Sequence, residues 1–342
     1  MNKTELAERL IRAASDRVAT TPLTDDFPDL DVDTAYTIQD TVVEARRASG
    51  AVIVGAKLGL TSKAKQEQMN VDEPLYGWLS HDMHIDTGEP LVCDRFIQPR
   101  CEPEIAFLLG EDLSGPDVSA ARVIAATQLV FPAIDVLDSR FAGYSFTLPD
   151  VVADNSSCAG FILGGQGSSP TNFDMRLTGC VFEKNGSLIA TASGAAVLGH
   201  PATSVAWLVR KLAERGQGLT AGHIVLAGSM TEAVAVEPGD VVSARQHLAH
   251  ALQRSVSDRG RVDHIAAAPI ALLLLVFRRV ELARLQLGHA RDDVEGEADG
   301  AVCDPAAVTA WFERTATGVV TAAATADGQP ARTTYCPRGA AD

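Results

Sequence analysis

The sequence predicts an α+β fold in which helices flank β-strands, and two patterns lead to this prediction. Apolar residues recur at helical spacing near the start of the chain, where Leu6, Leu10 and Ala14 share one face of a predicted helix. Short β-rich runs bounded by turn residues then follow one another from residue 52 to residue 242. A chain of 342 residues is long enough to bury one large core or two modest ones.

The elements follow in order along the chain. A second helix is expected from residue 33 to residue 48, a glycine-punctuated strand at 52–60, and strands around Glu104 and Asp135 with a helix at 120–129 between them. Asn185-Gly186 favours a two-residue turn, so residues 177–190 predict a hairpin. A helix at 201–215 and two strands within 224–242 complete the pattern. The glycine-rich stretch 194–200 has no phosphate-binding motif, so nucleotide binding is not supported.

Composition divides the chain into three parts. Residues 1–50 are expected to form an N-terminal helical flank, and residues 51–244 a β-rich core that contains the acidic residues of a candidate metal-binding catalytic site. Residues 245–342 form an atypical C-terminal extension, which contains no lysine but many arginines. Its apolar run at 266–277 is too short to cross a bilayer. We therefore expect residues 245–342 to be poorly ordered or the product of a reading-frame change.

Charge and cysteine content narrow the class of function. The formal net charge of −15 argues against nucleic-acid and anionic-membrane surfaces, so a small-molecule substrate is expected. The six cysteines contain no C-x-x-C pair, which is typical of a reducing compartment rather than of a disulfide scaffold or a zinc site. The first ten residues carry charges where a signal peptide needs an apolar stretch. We expect a cytoplasmic protein.

Two glutamates mark the most informative stretch of the sequence. On an extended strand, Glu102 and Glu104 project to the same side, because residues two apart share a face. Repulsion between neighbouring carboxylates is relieved by a hard cation such as Mg²⁺, which prefers oxygen ligands, and Asp135 offers a third acid in another strand-like run. The alternative is that all three acids are solvated on half-exposed strands.

Three further groups of residues have both a functional and a structural interpretation. Lys57 lies in an apolar strand and either reaches solvent or points into a negatively charged pocket. Ser156 and Ser157 belong to a run of small polar residues that either forms a turn or binds a carboxylate. A cluster around His81 and His84 could suggest a metal site, but it has no third nitrogen or sulfur ligand, so a structural role is favoured.

Several motifs occur in the order found in one known family. They are Gly55-Ala56-Lys57-Leu58-Gly59-Leu60-Thr61-Ser62, Glu102-Pro103-Glu104-Ile105-Ala106, Asp135-Val136-Leu137-Asp138-Ser139-Arg140, Ala153-Asp154-Asn155-Ser156-Ser157 and Ala195-Ala196-Val197-Leu198-Gly199-His200-Pro201. Over residues 1–244 the chain resembles the 4-oxalocrotonate decarboxylase and 2-hydroxypentadienoate hydratase family, which shares the fumarylacetoacetate hydrolase fold. The resemblance implies a mixed β-sheet roll with flanking helices.

The resemblance also implies a catalytic site. Glu102, Glu104 and a third acid would hold Mg²⁺ or Mn²⁺, and Lys57 would lie near a bound 2-oxo acid. The family usually has glutamate where this chain has Asp135, so coordination there would be direct after a small shift or through a water. The family further implies a homo-oligomer and a complex between decarboxylase and hydratase.

One position bears on the choice between the two activities. Leu75 follows Pro74, as in the decarboxylases, whereas related hydratases carry an aspartate there. The resemblance therefore favours metal-dependent decarboxylation of 2-oxohex-3-enedioate to 2-hydroxypenta-2,4-dienoate and CO2 in the catabolism of aromatic compounds. An apolar Leu75 would disfavour the charged distal carboxylate and would offer no base for water. Two alternatives stay open, a 2-hydroxypenta-2,4-dienoate hydratase and an inactive binding or scaffold subunit.

Overall fold

The computed structural model describes residues 1–69, 71–247 and 317–325. Its first three elements are helices, and strands then predominate, with single helices between some of them. The helices are α1 (Lys3–Asp16), α2 (Leu23–Asp26), α3 (Val32–Ala48), α4 (Lys63–Met69), α5 (Ala120–Ala126), α6 (Leu148–Ala153) and α7 (Pro201–Glu214). The strands are β1 (Ile53–Gly59), β2 (Leu75–Ser80), β3 (Pro90–Val92), β4 (Arg100–Leu109), β5 (Thr127–Leu137), β6 (Cys158–Leu163), β7 (Gly179–Lys184), β8 (Ser187–Ser193), β9 (Ile224–Ser229), β10 (Val234–Ala235), β11 (Val241–His247) and β12 (Thr317–Thr325).

The N-terminal helices pack on the protein through an apolar face. Helix α3 begins where the Asp31 carboxylate accepts a hydrogen bond from the Thr34 amide, an N-cap that satisfies one of the free amides of the first turn. Its buried face includes Tyr36 and Ile38. Gln39 on the same face is fully buried, and its Nε2 donates to the carbonyl oxygens of Tyr76 and Val152, each at 2.9 Å. Helix α3 is therefore tied to strand β2 and helix α6.

The larger sheet is mixed, as predicted. Its strand order is β2-β1-β9-β4-β5-β6, with β10 paired to β4. The β1–β9 pair is parallel and the other pairs are antiparallel. On β4 the side chains of Ile105 and Phe107 belong to the main hydrophobic core, whereas Ala106 belongs to a smaller apolar cluster that includes Ala133 and Phe161. Alternation thus directs successive residues of each strand into two different environments.

The smaller sheet has the strand order β3-β12-β11-β7-β8. Strands β7 and β8 form the predicted hairpin, with Asn185 at φ 55° and Gly186 at φ 76° in its turn. Strand β11 continues to His247 and pairs antiparallel with β12. Strand β12 thus belongs to this sheet although it lies within residues 245–342, which the sequence predicted to be an atypical extension. Residues 248–316 and 326–342, including the apolar run at 266–277, lie outside the described residues. The division of the chain at residue 244 stays a prediction.

Among the residues that the structure describes, no helix is long and apolar enough to cross a membrane.

Candidate metal centre and substrate site

Three buried carboxylates meet on one face of the larger sheet. Glu102 and Glu104 lie two residues apart on β4, and Asp135 on β5 is directly opposite Glu102 in the antiparallel register. One carboxylate oxygen from each lies within 4.8 Å of the others. All three side chains are buried, so the alternative of solvated acids is wrong. Antiparallel pairing explains the cluster, because residues directly opposite each other project to the same face.

Lys57 on β1 points into this cluster rather than into solvent. Its Nζ lies 2.7 Å from Asp135 Oδ2, and the residue is 1% exposed. Strands β9 and β4 lie between β1 and β5 in the sheet, so a flat sheet would hold the two side chains too far apart. The sheet is therefore curled with the carboxylates on its concave face, and the Lys57 side chain reaches across this face to Asp135.

Burial and mutual repulsion make the cluster electrostatically unusual. Burial, followed by the charges of Asp135 and Glu102, raises the pKa of Glu104 well above its usual value. Burial also raises the pKa of Asp135 to about 6, even though the Lys57 ammonium opposes this shift. Burial opposes the charge on Lys57, but the surrounding carboxylates, Asp135 first, outweigh it and raise the lysine pKa. Lys57 is therefore held as a cation among acids.

Two backbone contacts hold Glu104 in place. The Gly228 amide donates to Glu104 Oε2 at 2.6 Å. Gly228 has φ +112°, and an added Cβ would lie 2.0 Å from Thr61 Oγ1, so only glycine fits here. Gln246 on β11 is 3% exposed, and its Nε2 donates to the Glu104 carbonyl oxygen at 2.7 Å. Sequence reasoning missed both contacts. The signal for Gly228 is its place at the end of a strand, whereas no local signal marks Gln246.

The carboxylates retain oxygens that fit a metal ion. Glu104 Oε1 and Asp135 Oδ1 are buried and have no hydrogen-bond partner among the described residues. Buried polar atoms normally have partners, and a hard divalent cation bound by oxygen ligands supplies one. No other group of three His, Cys, Asp or Glu residues in the described ranges has this arrangement. The residues near His81 have structural contacts, since His81 Nδ1 accepts from the Val52 amide.

Leu75 and Ser156 lie on the same face, next to Lys57. Gly59 is two residues from Lys57 on β1 and pairs with Leu75 on β2. A Cβ built on Gly59 would lie 2.9 Å from Leu75 Cδ1 and 3.2 Å from Ser156 Oγ. Leu75 and Ser156 therefore fill the position that a side chain at Gly59 would take, which places both against the strand that carries Lys57.

Ser156 reaches this position through a left-handed turn. Asn155, Ser156 and Ser157 have φ values of 50°, 57° and 52°, which are uncommon for residues other than glycine. The Asn155 side chain secures the turn, because its Oδ1 accepts from the Trp78 amide at 2.7 Å and its Nδ2 donates to the Trp78 carbonyl at 3.0 Å. The predicted polar run is thus a turn, and it places a hydroxyl at the candidate site.

Ser157 serves a different purpose from Ser156. Its hydroxyl donates to Asp154 Oδ2 at 3.3 Å, and its carbonyl accepts from the Asp138 amide at 2.9 Å. Asp154 in turn forms a buried ion pair with the Arg140 guanidinium. Burial raises the pKa of Asp154 to about 6, although Arg140 opposes the shift. The structure thus brings Ser156 to the candidate site and directs the Ser157 hydroxyl to the ion pair beneath the turn.

Comparisons with known proteins find similarity over most of the chain. The family described as fumarylacetoacetate (FAA) hydrolase, C-terminal, matches residues 41–256. The chain is 42% identical over 240 residues to a 4-oxalocrotonate decarboxylase of Pseudomonas sp. (strain CF600), a match covering 70% of this chain and 91% of that protein. It is 43% identical over 220 residues to a 2-hydroxypent-2,4-dienoate hydratase of Pseudomonas putida, a match covering 63% of this chain and 99% of that protein.

A solved structure is also similar to this chain. The 4-oxalocrotonate decarboxylase from Pseudomonas putida G7, complexed with magnesium and adipate, aligns with a TM-score of 0.70 at 40% identity, covering 71% of this chain and 93% of that one. These similarities confirm the expected mixed β-sheet roll with flanking helices.

Proposed function

Since the chain belongs to the fumarylacetoacetate hydrolase family, we propose that it is a metal-dependent carboxy-lyase. Its substrate is 2-oxohex-3-enedioate (4-oxalocrotonate), and its products are 2-hydroxypenta-2,4-dienoate and CO2. The observation that carries the proposal is the buried group of Glu102, Glu104 and Asp135, joined by Lys57 and continued on the same face by Leu75. The similarity to named 4-oxalocrotonate decarboxylases supports the substrate class.

Glu102, Glu104 and Asp135 are the proposed metal ligands. Their donor set consists only of carboxylate oxygens, which suits Mg²⁺ or Mn²⁺, and two of the buried oxygens have no other partner in the described part of the chain. A bound divalent cation supplies Lewis-acid stabilisation of negative charge on the 2-oxo oxygen of the substrate. Asp135 also holds the Lys57 ammonium at 2.7 Å, so this residue would serve both the metal and the lysine.

The substrate can lose its distal carboxylate without a protein nucleophile. As the C5–C6 bond breaks, its electrons move through the C3=C4 double bond to the 2-oxo oxygen, which leaves a dienolate and CO2. Lys57 is held as a cation on this face, and its fixed charge stabilises the dienolate oxygen without rearrangement. Protonation of that oxygen then gives the enol product.

Leu75 is proposed to contact the distal end of the substrate. The residue is 2% exposed and lies against Gly59, beside Ser156. An apolar surface disfavours the carboxylate more than neutral CO2, because a charged group loses more hydration there. Leucine also offers no base that could activate water. The Ser156 hydroxyl beside Leu75 would hydrogen-bond to the substrate, whereas Ser157 would support the turn.

The direct test is CO2 release from 2-oxohex-3-enedioate by the purified chain. We expect CO2 release with Mg²⁺, loss of release with a chelator, and recovery when Mg²⁺ is added back. Release that is unaffected by the chelator would contradict the role of the acids. A folded, metal-binding chain that releases no CO2 would contradict the decarboxylase assignment.

The hydratase is the second candidate, since a hydratase relative is 43% identical to the chain. It would add water to 2-hydroxypenta-2,4-dienoate and give 4-hydroxy-2-oxopentanoate. Leu75→Asp tests the distinction, because an acid at this position would supply the base that leucine lacks. We expect hydration to rise relative to CO2 release, with Leu79→Asp as a control for burying an acid elsewhere on β2. An unchanged product ratio would remove Leu75 from the argument.

Assembly and location complete the proposal. We infer a homo-oligomer, supported by the exposed Leu188 and Ile189 of β8, which is an edge strand among the described residues. Light scattering tests the homo-oligomer, and a monomer would contradict it.

A complex with the pathway hydratase is also proposed, and copurification of the two proteins tests it. A cytoplasmic location is supported by the buried free thiols of Cys101 and Cys180, and cell fractionation tests it.

A further inference from the structure

Lys65 is a second cation at the acid cluster, and its contact differs from that of Lys57. Lys65 Nζ lies 3.3 Å from Glu102 Oε2, whereas Lys57 Nζ lies 2.7 Å from its partner oxygen on Asp135. The Lys65 side chain is 28% exposed, and that of Lys57 is 2% exposed. Hydrogen bonds from nitrogen to oxygen usually measure about 2.7–3.2 Å, so the Lys65 contact is long as well as open to solvent.

The backbone beneath Lys65 is fixed, so only its side chain needs to move. The Lys65 amide donates to Ser62 Oγ at 3.2 Å. The next residue, Gln66, is 2% exposed, and its Nε2 donates to the Leu60 carbonyl at 2.8 Å. Helix α4 is therefore anchored beside the cluster, and the long lysine side chain can turn away from Glu102 without disturbing the helix.

The charge balance changes when a divalent cation binds. Three carboxylates and two ammonium groups give the cluster a formal charge of −1. A divalent cation held by the three acids would raise this value to +1, and it would share the Glu102 carboxylate with Lys65. Like charges then repel, and the exposed ammonium is the one that can leave. A carboxylate bound beside the metal would give it a new partner.

We propose that Lys65 is an exchangeable cation of the active site. It pairs with Glu102 when the metal is absent, and it binds the C1 carboxylate of the 2-oxo acid when the metal occupies Glu102. The C1 end follows from geometry, because Lys65 reaches a proposed metal ligand, whereas the distal end of the substrate is assigned to Leu75. This inference rests on the proposed function, since it takes the acid cluster to be the metal site.

The test compares Lys65→Met with Lys63→Met, which removes an exposed lysine from the same helix. Mn²⁺ binding is measured without substrate. Binding of 2-oxohexanedioate and 2-oxohexanoate is then measured with saturating Mg²⁺. Both probes carry the C1 carboxylate and the 2-oxo group, neither has the double bond needed for loss of CO2, and only the first has a distal carboxylate.

The two ligands are expected to respond in opposite directions. Lys65→Met should bind Mn²⁺ about twofold to fivefold more tightly, because a competing, partly exposed charge is gone. It should bind both oxo acids about tenfold more weakly, which corresponds to about 1.4 kcal/mol. Lys63→Met should match the unaltered chain in every measurement, and Lys65→Arg should keep most of the oxo-acid affinity.

Four results would overturn the inference, and three of them overturn it alone. Weaker Mn²⁺ binding by Lys65→Met would show that the lysine supports the metal site instead of competing with it. Weaker binding of 2-oxohexanedioate alone would assign Lys65 to the distal carboxylate. Equal shifts in Lys63→Met would indicate a general effect of charge. Failure of the unaltered chain to bind Mn²⁺ would overturn the proposed metal site as well, whereas the other three results leave metal-dependent CO2 release intact.

Discussion

Asp135 and Asp154 are both buried aspartates beside a buried cation, yet they occupy opposite kinds of site. Burial raises the pKa of each to about 6. The Asp154 carboxylate accepts from the Arg140 side chain and amide and from the Ser157 hydroxyl, so both of its oxygens have partners. Asp135 keeps one oxygen without a partner among the described residues and faces two further acids. A satisfied ion pair supports the fold, whereas an unsatisfied one is available for chemistry.

Removing one of the three clustered acids, Glu102, Glu104 and Asp135, should have the largest effect on activity. Glu104→Gln keeps the size of the side chain but takes away a charged ligand, so we expect CO2 release to fall about a hundredfold to a thousandfold. Folding should persist, because repulsion within the cluster decreases. Activity and Mn²⁺ binding are measured together, with the exposed Glu232→Gln as the control. Full activity in Glu104→Gln would show that the open oxygens are not used.

Breaking the ion pair between Arg140 and Asp154 should instead lower the stability of the fold. Asp154→Ala leaves the Arg140 guanidinium buried without its partner, which should lower the free energy of unfolding by about 3–5 kcal/mol. Asp135→Ala should lower it by less, since Glu102 and Glu104 remain near Lys57. Urea unfolding measures both variants. Equal losses would mean that the two aspartates do not differ as proposed.

The pH dependence of metal binding should reflect the raised pKa of Asp135. A proton and a cation compete for the same oxygens, and burial places this competition near pH 6. Metal affinity should therefore be highest above pH 7 and should fall at least about tenfold per pH unit below about pH 6, since Glu104, whose pKa burial also raises, takes up a proton as well. Mn²⁺ titrations from pH 5 to pH 8 measure this dependence. A constant affinity across that range would contradict the assignment of Asp135 as a ligand.

Gln246 should show the smallest effect, because it supports the main chain of Glu104 and not its carboxylate. Gln246→Leu leaves the Glu104 carbonyl without this donor, which should lower the free energy of unfolding by about 1–2 kcal/mol. Metal affinity should stay within about threefold of the original, a shift below about 1 kcal/mol. Gln217→Leu in an exposed turn is the matched control. A large loss of metal affinity in Gln246→Leu alone would make Gln246 part of the site.

Much of the acid cluster could be predicted from the sequence, because it follows from local rules. Alternation on a strand places Glu102 and Glu104 on one face, and pairing of neighbouring strands brings Asp135 opposite. The partner of Lys57 could not be predicted in this way, since it depends on how far the whole sheet curls. The hairpin at Asn185-Gly186 could likewise be predicted from turn chemistry, whereas the mixed sheet followed from the family resemblance.

Other features have no local signal. The turn at Asn155, Ser156 and Ser157 has positive φ values although it contains no glycine, so intrinsic preference argues against it. The bonds from the Asn155 side chain to Trp78 stabilise it, and these join residues 77 positions apart. The pairing of β11 with β12 is similarly remote, since 69 residues separate the strands. Such contacts come from tertiary structure alone.

The bond between Gln246 and Glu104 also sets an order of events during synthesis. The two residues are 142 positions apart in the chain. On the ribosome, β4 is exposed long before β11 has been made, and a chain grows at about 5–20 residues per second. For those seconds the acids lack the Gln246 donor, and until β9 has been made they also lack the strand that separates β4 from β1. Completion of the centre therefore waits for the late part of the chain, and a nascent chain halted before residue 246 would carry the acids without their final support.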